Sequence, residues 1–352
     1  MTQFANKLTI RVVGDLMLGI SSHKALATGN TIPNRIHTEP QSIFQDVSSI
    51  LKNCDLLLGN LECPLSNSYT NTDSELAPFL LGPAAAAHHL NSAEFDCLSL
   101  ANNHILDHGE QPVKQTIKLL NERGIDHVGD PLRQNDEIEY QIKGRTVALG
   151  GFNLCPQGKQ DSEYNLFNFI ERNQAADLII LMIHWGWGYE HLSYPSSEQV
   201  SLGHDLIDAG ADIILGAHSH VFQTVEQYSG GIIAYSLGNF LFDMWRLENN
   251  NTGILTITHE ASGVIDASVD AAIIQNGLIL QSERDMNALI QEGPPKIPTN
   301  IELRAKVIKT KHRLEILYYY LRYLHKFSIR YHYKNISRWT RKILDSQRHV
   351  RN

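Results

Sequence analysis

The 352-residue sequence lacks several features that would place it in a protein class at once. It has only four Cys, and none form a C-x-x-C pair, which excludes a disulfide scaffold and a zinc ribbon. No apolar run approaches the roughly 18 residues that cross a bilayer. Residues 1–10 carry neither the basic nor the apolar region of a secretion signal. These absences predict a cytoplasmic protein with no signal peptide and no transmembrane helix.

Acidic residues are scarce near the C-terminus. Residues 303–352 hold 14 Lys/Arg and two acids, a net charge of +12, whereas residues 1–302 carry a net charge of −20. Opposite charges on two pieces indicate two units with different partners. The Gly and Pro residues that lie between these two pieces, at 293–298, indicate a stiff linker. We therefore predict a domain over 1–290, a linker over 291–300 and a basic, aromatic helical extension over 301–352.

Short apolar runs alternate with helical patterns along most of the chain. Buried strands are predicted at 8–13, 56–58, 97–100, 146–150, 178–183, 213–215 and 232–235. Helices are predicted between the first six strands, at about 41–52, 83–93, 111–123, 164–175 and 196–209. Three more strands, at 252–258, 263–270 and 278–282, follow without helices between them. This order is typical of an α/β protein.

Polar residues with metal-binding side chains follow six of the predicted strands. They are Asp15, Asn60, Glu62, Asn102, Asn103, His104, Asp107, His184, His218, His220, Ser236 and Asn239. Ligand sites in open α/β sheets form beyond the carboxyl ends of strands, so these residues can converge. A lone Asp after a strand is usually a cap or turn former. The joint pattern of carboxylate, amide and imidazole groups instead predicts a shared metal site. The four Cys and eight other histidines, His191 among them, are interpreted as packing or surface residues.

The motifs GDLML, GNLECPLS, ANNHILDHG, HWGWGYE, GAHSH and YSLGNFLFD occur in this order over about residues 8–245. This series resembles the CapA family, named for poly-γ-glutamate capsule synthesis, a branch of the calcineurin-like metallophosphoesterases. The resemblance implies a four-layer αββα sandwich, followed here by the helical extension. It also implies two divalent metal ions, Mn, Fe or Zn.

The resemblance implies roles for individual residues. The metal ligands it implies are Asp15, Asn103, His184, His218 and His220. Two positions depart from the superfamily pattern: Met17 stands where Asp-x-His has its histidine, and Asn60 stands where a bridging Asp is usual. Glu62 is expected to supply the missing carboxylate.

His104 is the expected proton donor to the leaving group, and Asp107 is expected to orient it. Substrate contacts are expected from five residues, namely Asn60, Trp185, Glu190, Ser236 and Asn239. Trp187 could offer a second flat wall beside Trp185, although ordinary packing explains both equally well.

The first functional hypothesis is a metal-dependent hydrolase acting on a peptide or a γ-glutamyl substrate. A phosphomonoesterase or phosphodiesterase is the second hypothesis. A metal-dependent peptide epimerase and a non-catalytic capsule assembly factor remain open.

Residues 303–352 are predicted to be helical with one apolar stripe, formed by Leu314, Leu317, Leu321, Leu324, Ser328 and Tyr331. Eight aromatic residues share the segment with its positive charge. Three interpretations stay open: packing on the acidic body or on a second copy in an oligomer, peripheral contact with an anionic membrane, and binding of an acidic polymer. Nucleic acid is the least favoured partner.

Overall fold

A computed structural model describes residues 7–39, 42–68, 80–133, 137–244, 246–260, 263, 265–327, 329 and 331–332. Tyr333, Trp339 and the rest of the predicted basic segment beyond 332 lie outside these residues. Over the described part of the chain, no helix combines the length and the apolarity needed to span a bilayer.

The first sheet has eight strands. They are β1 (Leu8–Leu16), β2 (Leu56–Leu61), β5 (Cys97–Ser99), β6 (Asp126–Val128), β13 (Asn239–Leu241), β14 (Asn251–His259), β15 (Ile265–Gln275) and β16 (Leu278–Gln281). Their order is β16-β15-β14-β1-β2-β5-β6, and β13 pairs with the end of β1. Strands β1, β2, β5, β6 and β13 run parallel, whereas β14, β15 and β16 pair antiparallel.

The second sheet has seven strands. They are β7 (Glu137–Ile142), β8 (Arg145–Asn153), β9 (Leu178–His184), β10 (Ile213–Ala217), β11 (Val225–Tyr228), β12 (Gly231–Ala234) and β17 (Ile290–Glu292), in the order β17-β11-β12-β10-β9-β8-β7. Strands β8, β9, β10 and β12 are parallel, so their carboxyl ends share one edge. Two short strands, β3 (Leu65–Ser66) and β4 (Gly82–Pro83), pair separately.

Nine α-helices surround the sheets in the described residues. They are α1 (His23–Thr28), α2 (Ile32–Thr38), α3 (Ser48–Leu51), α4 (Ala86–Ser92), α5 (Glu110–Asn121), α6 (Glu163–Arg172), α7 (Ser197–Asp208), α8 (Leu247–Asn250) and α9 (Ile301–Arg322). Short 3₁₀ turns cover Gln45–Val47, Asn287–Leu289 and Leu324–Lys326.

Three apolar layers separate four layers of secondary structure, which confirms the predicted αββα sandwich. Between the two sheets, Ile10 and Val12 of β1 share a cluster with Ile180 of β9. On the outer face of the first sheet, Leu57 packs in a cluster with residues of α4 and α5. On the outer face of the second sheet, Ile179 packs with residues of α6 and α7. Side chains alternate between the two faces along each strand, so neighbouring residues serve different layers.

The predicted helix over 41–52 is wrong in extent. Residues 40–41 are not described, and the chain then forms the turn Gln45–Val47 and the single-turn α3. Phe44 and Val47 are nevertheless buried in the cluster outside the first sheet. The apolar spacing therefore predicted correctly which side chains are buried. The four residues of α3 are too few for a helix that would be stable by itself.

The C-terminal extension packs on the body through α9. Ile301 and Ala305 lie against Leu192, and further along the chain Tyr320 lies against Ile20. Arg246 of the body and Glu315 of α9 form an ion pair at 3.6 Å. The predicted linker over 291–300 starts inside β17, because residues Ile290–Glu292 pair with β11.

The four leucines of the predicted apolar stripe do not pack on the body, because Leu314, Leu317, Leu321 and Leu324 are all exposed. Tyr331 of the same stripe is buried in a cluster with Ile20 and Tyr320, and Ser328 lies outside the described residues. Helix α9 has a second set of small and apolar residues on its opposite side, and these make the contact. The sequence pattern identified a face of the helix correctly but could not show which face the body covers.

Candidate metal centre

The polar residues that follow the strands meet at one edge of the sandwich. Asp15 is the second-last residue of β1 and lies in register with Asn60 of β2 and Asn239 of β13. His184 ends β9, and His218 follows β10 in the second sheet. Both sheets thus bring the carboxyl ends of parallel strands to the same place, which is where ligand sites form in α/β proteins.

The first ligand cluster surrounds the Nε2 atom of His184. Asn103 Oδ1 lies 2.7 Å from this atom, His218 Nδ1 lies 3.1 Å from it and Glu62 Oε1 lies 3.6 Å from it. All four side chains are buried. Burial, together with the neighbouring histidines, holds the pKa of His184 well below its usual value. Its imidazole is therefore neutral near pH 7, as a metal ligand must be.

The second ligand cluster surrounds the Nδ1 atom of His220. Asn239 Oδ1 lies 2.9 Å from it, Asp15 Oδ2 lies 3.3 Å from it and Glu62 Oε2 lies 4.0 Å from it. The ligand atoms of Asp15, Glu62 and His220 all lie within 4.8 Å of one another.

Glu62 joins the two clusters, with Oε1 in the first and Oε2 in the second. Its carboxylate is fully buried, and burial followed by the nearby charge of Asp15 raises its pKa well above the usual value. Within the described residues, neither oxygen of Glu62 nor Oδ2 of Asp15 has a hydrogen-bond partner. Buried carboxylates without partners are costly. This donor set therefore fits cations, and the residues present fit the two divalent ions predicted from the sequence.

His218 and His220 both adopt a positive backbone φ, of 94° and 60°. Such conformations are uncommon for residues other than glycine and cost free energy. Strain of this kind concentrates at functional sites. It turns both imidazoles of the His-x-His motif toward the buried carboxylates.

His104 lies at the exposed side of the first cluster. Its Nδ1 is 2.8 Å from Asp107 Oδ2, and its Nε2 is 4.0 Å from Glu62 Oε1. The backbone N–H of His104 donates to Asn102 Oδ1, which fixes the loop that carries it. The structure thus brings Asp107 against His104 as the sequence analysis expected, and leaves one ring nitrogen facing the ligand clusters.

Comparison with known proteins establishes the family of this chain. The family model for bacterial capsule synthesis protein PGA_cap matches residues 9–244. The chain belongs to the PGA_cap family. Its resemblance to the CapA family is confirmed.

Relatives of this PGA_cap chain include two bacterial CapA proteins. Capsule biosynthesis protein CapA of Bacillus anthracis is 31% identical over 348 residues, which cover 87% of this chain and 81% of the relative. PGA biosynthesis protein CapA of Bacillus subtilis is 31% identical over 289 residues, covering 72% of this chain and 73% of the relative. The solved structure of sulfate thiohydrolase SoxB of Thermus thermophilus matches with a TM-score of 0.41 at 12% identity. The match covers 77% of this chain and 57% of that one.

Two of the residues expected to contact substrate in this PGA_cap chain are buried. The ring of Trp185 is buried in the layer between the second sheet and its helices, where Nε1 donates to the carbonyl of Tyr235 at 2.8 Å. Ser236 is also buried, and its hydroxyl accepts a hydrogen bond from the N–H of Gly238 in a turn. Neither residue faces an open surface. The Trp185 ring packs in that layer, and the Ser236 hydroxyl stabilises the turn.

Asn60 and Asn239 lie among the ligand side chains and are also buried. Asn60 Nδ2 donates to Asp15 Oδ1 at 2.8 Å, and Asn102 Nδ2 donates to Asn60 Oδ1 at 3.2 Å. Asn60 therefore orients Asp15 and does not reach an open surface for substrate.

Trp187 and Glu190 are the expected residues that remain accessible beside the ligands. The Trp187 ring is 41% exposed and stacks on His218 at 5.7 Å between ring centres. Glu190 Oε1 lies 3.5 Å from His218 Nε2. Burial opposes ionisation of Glu190, but His218 and the charge of Lys309 outweigh it and lower its pKa to about 2. Glu190 is therefore ionised and positioned to orient His218.

Several residues near the centre were missed by the sequence analysis. Cys155 is buried, and its Sγ lies within 4.8 Å of ligand atoms of His184 and His218. His191 stacks on His220 with 5.6 Å between ring centres, and His312 of α9 lies 4.5 Å from His191. His312 lies almost 70 positions beyond the last motif, and no local signal connects it with the centre.

Proposed function

We propose that this protein is a metal-dependent hydrolase that acts on a peptide or γ-glutamyl bond. The observation that carries the proposal is the pair of buried ligand clusters that share Glu62, with the His104–Asp107 pair at their exposed side. The residues of the two clusters would hold two divalent ions. When bound, such ions supply Lewis acidity toward a substrate oxygen and toward a water molecule.

The chain's own groups supply positioning and a proton. Asp107 accepts a hydrogen bond from Nδ1 of His104, and Asn103 Nδ2 lies 3.1 Å from Nε2 on the other side of the ring. His104 would therefore give a proton to the leaving group from Nε2 when its imidazole is doubly protonated. Asn60 fixes Asp15, and Glu190 fixes His218, so the ligands need little rearrangement. Preorganised ligands of this kind raise metal affinity.

The exposed residues beside the clusters, Trp187 and Lys309, favour an anionic substrate. Lys309 of α9 lies with Nζ 5.8 Å from the centre of the Trp187 ring, and both side chains are exposed. A cation beside an aromatic face suits a carboxylate on a chain that packs against the ring. One relative is named for PGA biosynthesis, and a γ-glutamyl chain presents a free carboxylate at every residue.

The test is turnover by purified protein loaded with Mn²⁺, Fe²⁺ or Zn²⁺. γ-Glutamyl peptides, α-linked glutamyl peptides, phosphomonoesters and phosphodiesters are each supplied, with product detected by mass spectrometry. We expect cleavage of γ-glutamyl or peptide bonds that His104→Gln reduces strongly while metal content stays at two ions per chain. Metal content below about half an equivalent in the reconstituted wild type would refute the site assignment, by the stoichiometry that a closed ligand set requires.

The alternatives give different results in the same assay. Cleavage of phosphoesters alone would replace the proposal by a phosphoesterase. Deuterium from solvent entering an intact peptide would indicate a peptide epimerase. Full metal occupancy with no reaction on any substrate would favour a capsule assembly factor whose metals are structural.

We further propose that the exposed side of α9 contacts an anionic membrane surface. This outer stripe consists of Leu303, Val307, Leu314, Leu317 and Leu321 of α9 together with Leu324 of the 3₁₀ turn that follows it, and these residues are between 37% and 61% exposed. Apolar patches of this kind on a surface helix mark interaction sites. Arg304, Lys306, Lys311 and Arg313 flank the stripe. Two copies of this helix would bring like charges together, whereas anionic lipid attracts them.

Vesicle sedimentation of the full chain tests this contact. We expect binding to phosphatidylserine vesicles at low salt and loss of binding in a Leu314→Ser, Leu321→Ser variant. Tyr164→Ser, which removes an exposed aromatic residue elsewhere, is the matched control and should bind as the wild type. Absence of vesicle binding, or dimerisation through the same leucines without lipid, would overturn the proposal.

A further inference from the structure

The second ligand cluster has three charged or imidazole ligands, Asp15, Glu62 and His220. The position at which the superfamily pattern has a histidine carries Met17. Its side chain is completely buried in the apolar layer between the first sheet and its helices. Met17 therefore cannot supply a ligand to this cluster, and the cluster needs one from another element.

The end of β13 brings Asn239 to this place. Asn239 is in register with Asp15 in the parallel pair of β13 and β1, and the N–H of Asp15 donates to the carbonyl of Gly238 at 2.8 Å. Gly14 permits this approach, because a Cβ at that position would lie 2.0 Å from the same carbonyl oxygen. The two strand ends are thus held at contact distance by a glycine.

The amide of Asn239 is oriented with its oxygen toward the ligands. Oδ1 lies 2.9 Å from His220 Nδ1, while Nδ2 points away, 3.4 Å from the carbonyl of Asn249 and 3.5 Å from Met244 Sδ. Asn249 is itself fixed, because its Nδ2 donates to the carbonyl of His220 at 2.6 Å. Asn239 has no exposed surface. The oxygen of the Asn239 amide thus faces the second cluster.

We infer that Asn239 Oδ1 is the fourth protein ligand of the second cluster and takes the place of the histidine absent at Met17. The second cluster then offers three oxygens and one imidazole, from Asp15, Glu62, Asn239 and His220. The first cluster offers two oxygens and two imidazoles, from Asn103, Glu62, His184 and His218.

The two clusters therefore differ in the metals that suit them. Oxygen ligands favour harder cations such as Mn²⁺ and Mg²⁺, whereas imidazole favours Zn²⁺ and Fe²⁺. The first cluster should hold Zn²⁺ or Fe²⁺ firmly, and the second should accept Mn²⁺ with less preference for Zn²⁺. This inference rests on the metal-binding part of the proposed function and not on hydrolysis.

Metal titration of the metal-free full chain tests the inference. Mn²⁺ binding is followed through the electron paramagnetic resonance signal of free Mn²⁺, and Zn²⁺ binding by calorimetry. We expect two Mn²⁺ per wild-type chain. For Asn239→Ala we expect one site at wild-type affinity and the other weakened at least about 10²-fold, the upper end of the effect of losing a group beside a metal ligand. Asn239→Asp keeps an oxygen and should restore two sites.

Asn153→Ala is the matched control, because Asn153 is an equally buried asparagine whose Nδ2 donates to the carbonyl of Gln157 away from His220. It should keep both sites. Thermal unfolding of each variant identifies any that fails to fold; if Asn239→Ala fails, Asn239→Leu, which keeps the approximate size of the side chain and removes its oxygen, replaces it with the same expectation. Two Mn²⁺ sites of unchanged affinity in folded Asn239→Ala would overturn the inference. A wild type that binds no metal would instead refute the proposed function.

Discussion

Replacing Glu62 by Gln should have opposite effects on stability with and without metal. Gln keeps the shape of the side chain and removes its charge. In the metal-free protein the Glu62 carboxylate is fully buried, has two oxygens without a hydrogen-bond partner among the described residues, and lies beside Asp15. A buried acceptor left unpaired costs about 1–3 kcal/mol. We expect metal-free Glu62→Gln to be more stable than the wild type by about that amount.

The sign of the pH dependence follows from the pKa of Glu62. Burial and Asp15 raise this pKa in the folded state, so the folded protein binds the proton more tightly than the unfolded chain. The free energy of unfolding of the metal-free wild type therefore falls as pH rises above the unfolded pKa of Glu. The advantage of Glu62→Gln should grow over the same pH range.

Metal should reverse the order of stability. A ligand at 100 times its dissociation constant stabilises the folded state by about 2.7 kcal/mol. The wild type would gain this from ions held by the two clusters, to each of which Glu62 offers one oxygen, whereas Glu62→Gln offers one neutral oxygen and should gain much less. Thermal unfolding in chelator and in excess Mn²⁺, with elemental analysis of both proteins, measures the reversal.

Glu226→Gln is the matched control for this experiment. Glu226 is equally buried, but it accepts a hydrogen bond from the Tyr235 hydroxyl at 2.6 Å and lies 3.0 Å from His204 Nε2. Its replacement should lower stability in both conditions and leave metal content unchanged. If Glu62→Gln were less stable than the wild type without metal, or kept two ions, Glu62 would not be a ligand that joins the two clusters.

Three further predictions follow from the geometry. His104→Gln should retain both ions and lose roughly 10²–10⁴-fold in kcat, as general-acid groups do; full turnover would show that His104 is structural. Burial raises the pKa of Asp243 from 3.8 to about 7, so stability relative to Asp243→Asn should fall between pH 4 and 7 by up to about 4 kcal/mol; parallel unfolding curves would contradict this. Truncation of 300–352 uncovers Leu192 and Ile20 and should lower the unfolding temperature; an unchanged temperature would show that α9 adds no stability.

Some departures from the sequence analysis trace to side-chain direction. Trp185 follows a ligand histidine directly, yet its ring belongs to the layer between the second sheet and its helices. Neighbouring residues of a strand point to opposite faces, so one of two adjacent positions enters the core. Trp187, two positions on, stays accessible at the rim. The motif alone did not distinguish them, because both are large aromatic residues beside glycines.

In the C-terminal segment, too, the sequence did not show which side chains face the body, here for a whole helix. Its sequence revealed a helix with a leucine stripe and positive charge. Both sides of α9 carry apolar residues, so periodicity could not show that Ile301 and Ala305 pack on the body while Leu314 stays exposed. The contact of His312 with His191 depends on that choice.

The α/β alternation, the strand ends and most of the candidate ligands could be predicted from the amino-acid sequence, because apolar runs must be buried and the carboxyl ends of parallel strands share an edge. The sequence could not predict that Glu62 reaches both clusters or that Asn239 lies beside Asp15. Asn239 lies over 220 positions from Asp15 in the sequence, and whole strands separate Glu62 from His184 and His220. Their positions follow from strand pairing and from glycines that allow close approach. Such contacts cannot be predicted from the local sequence, because they form only when the sheets assemble.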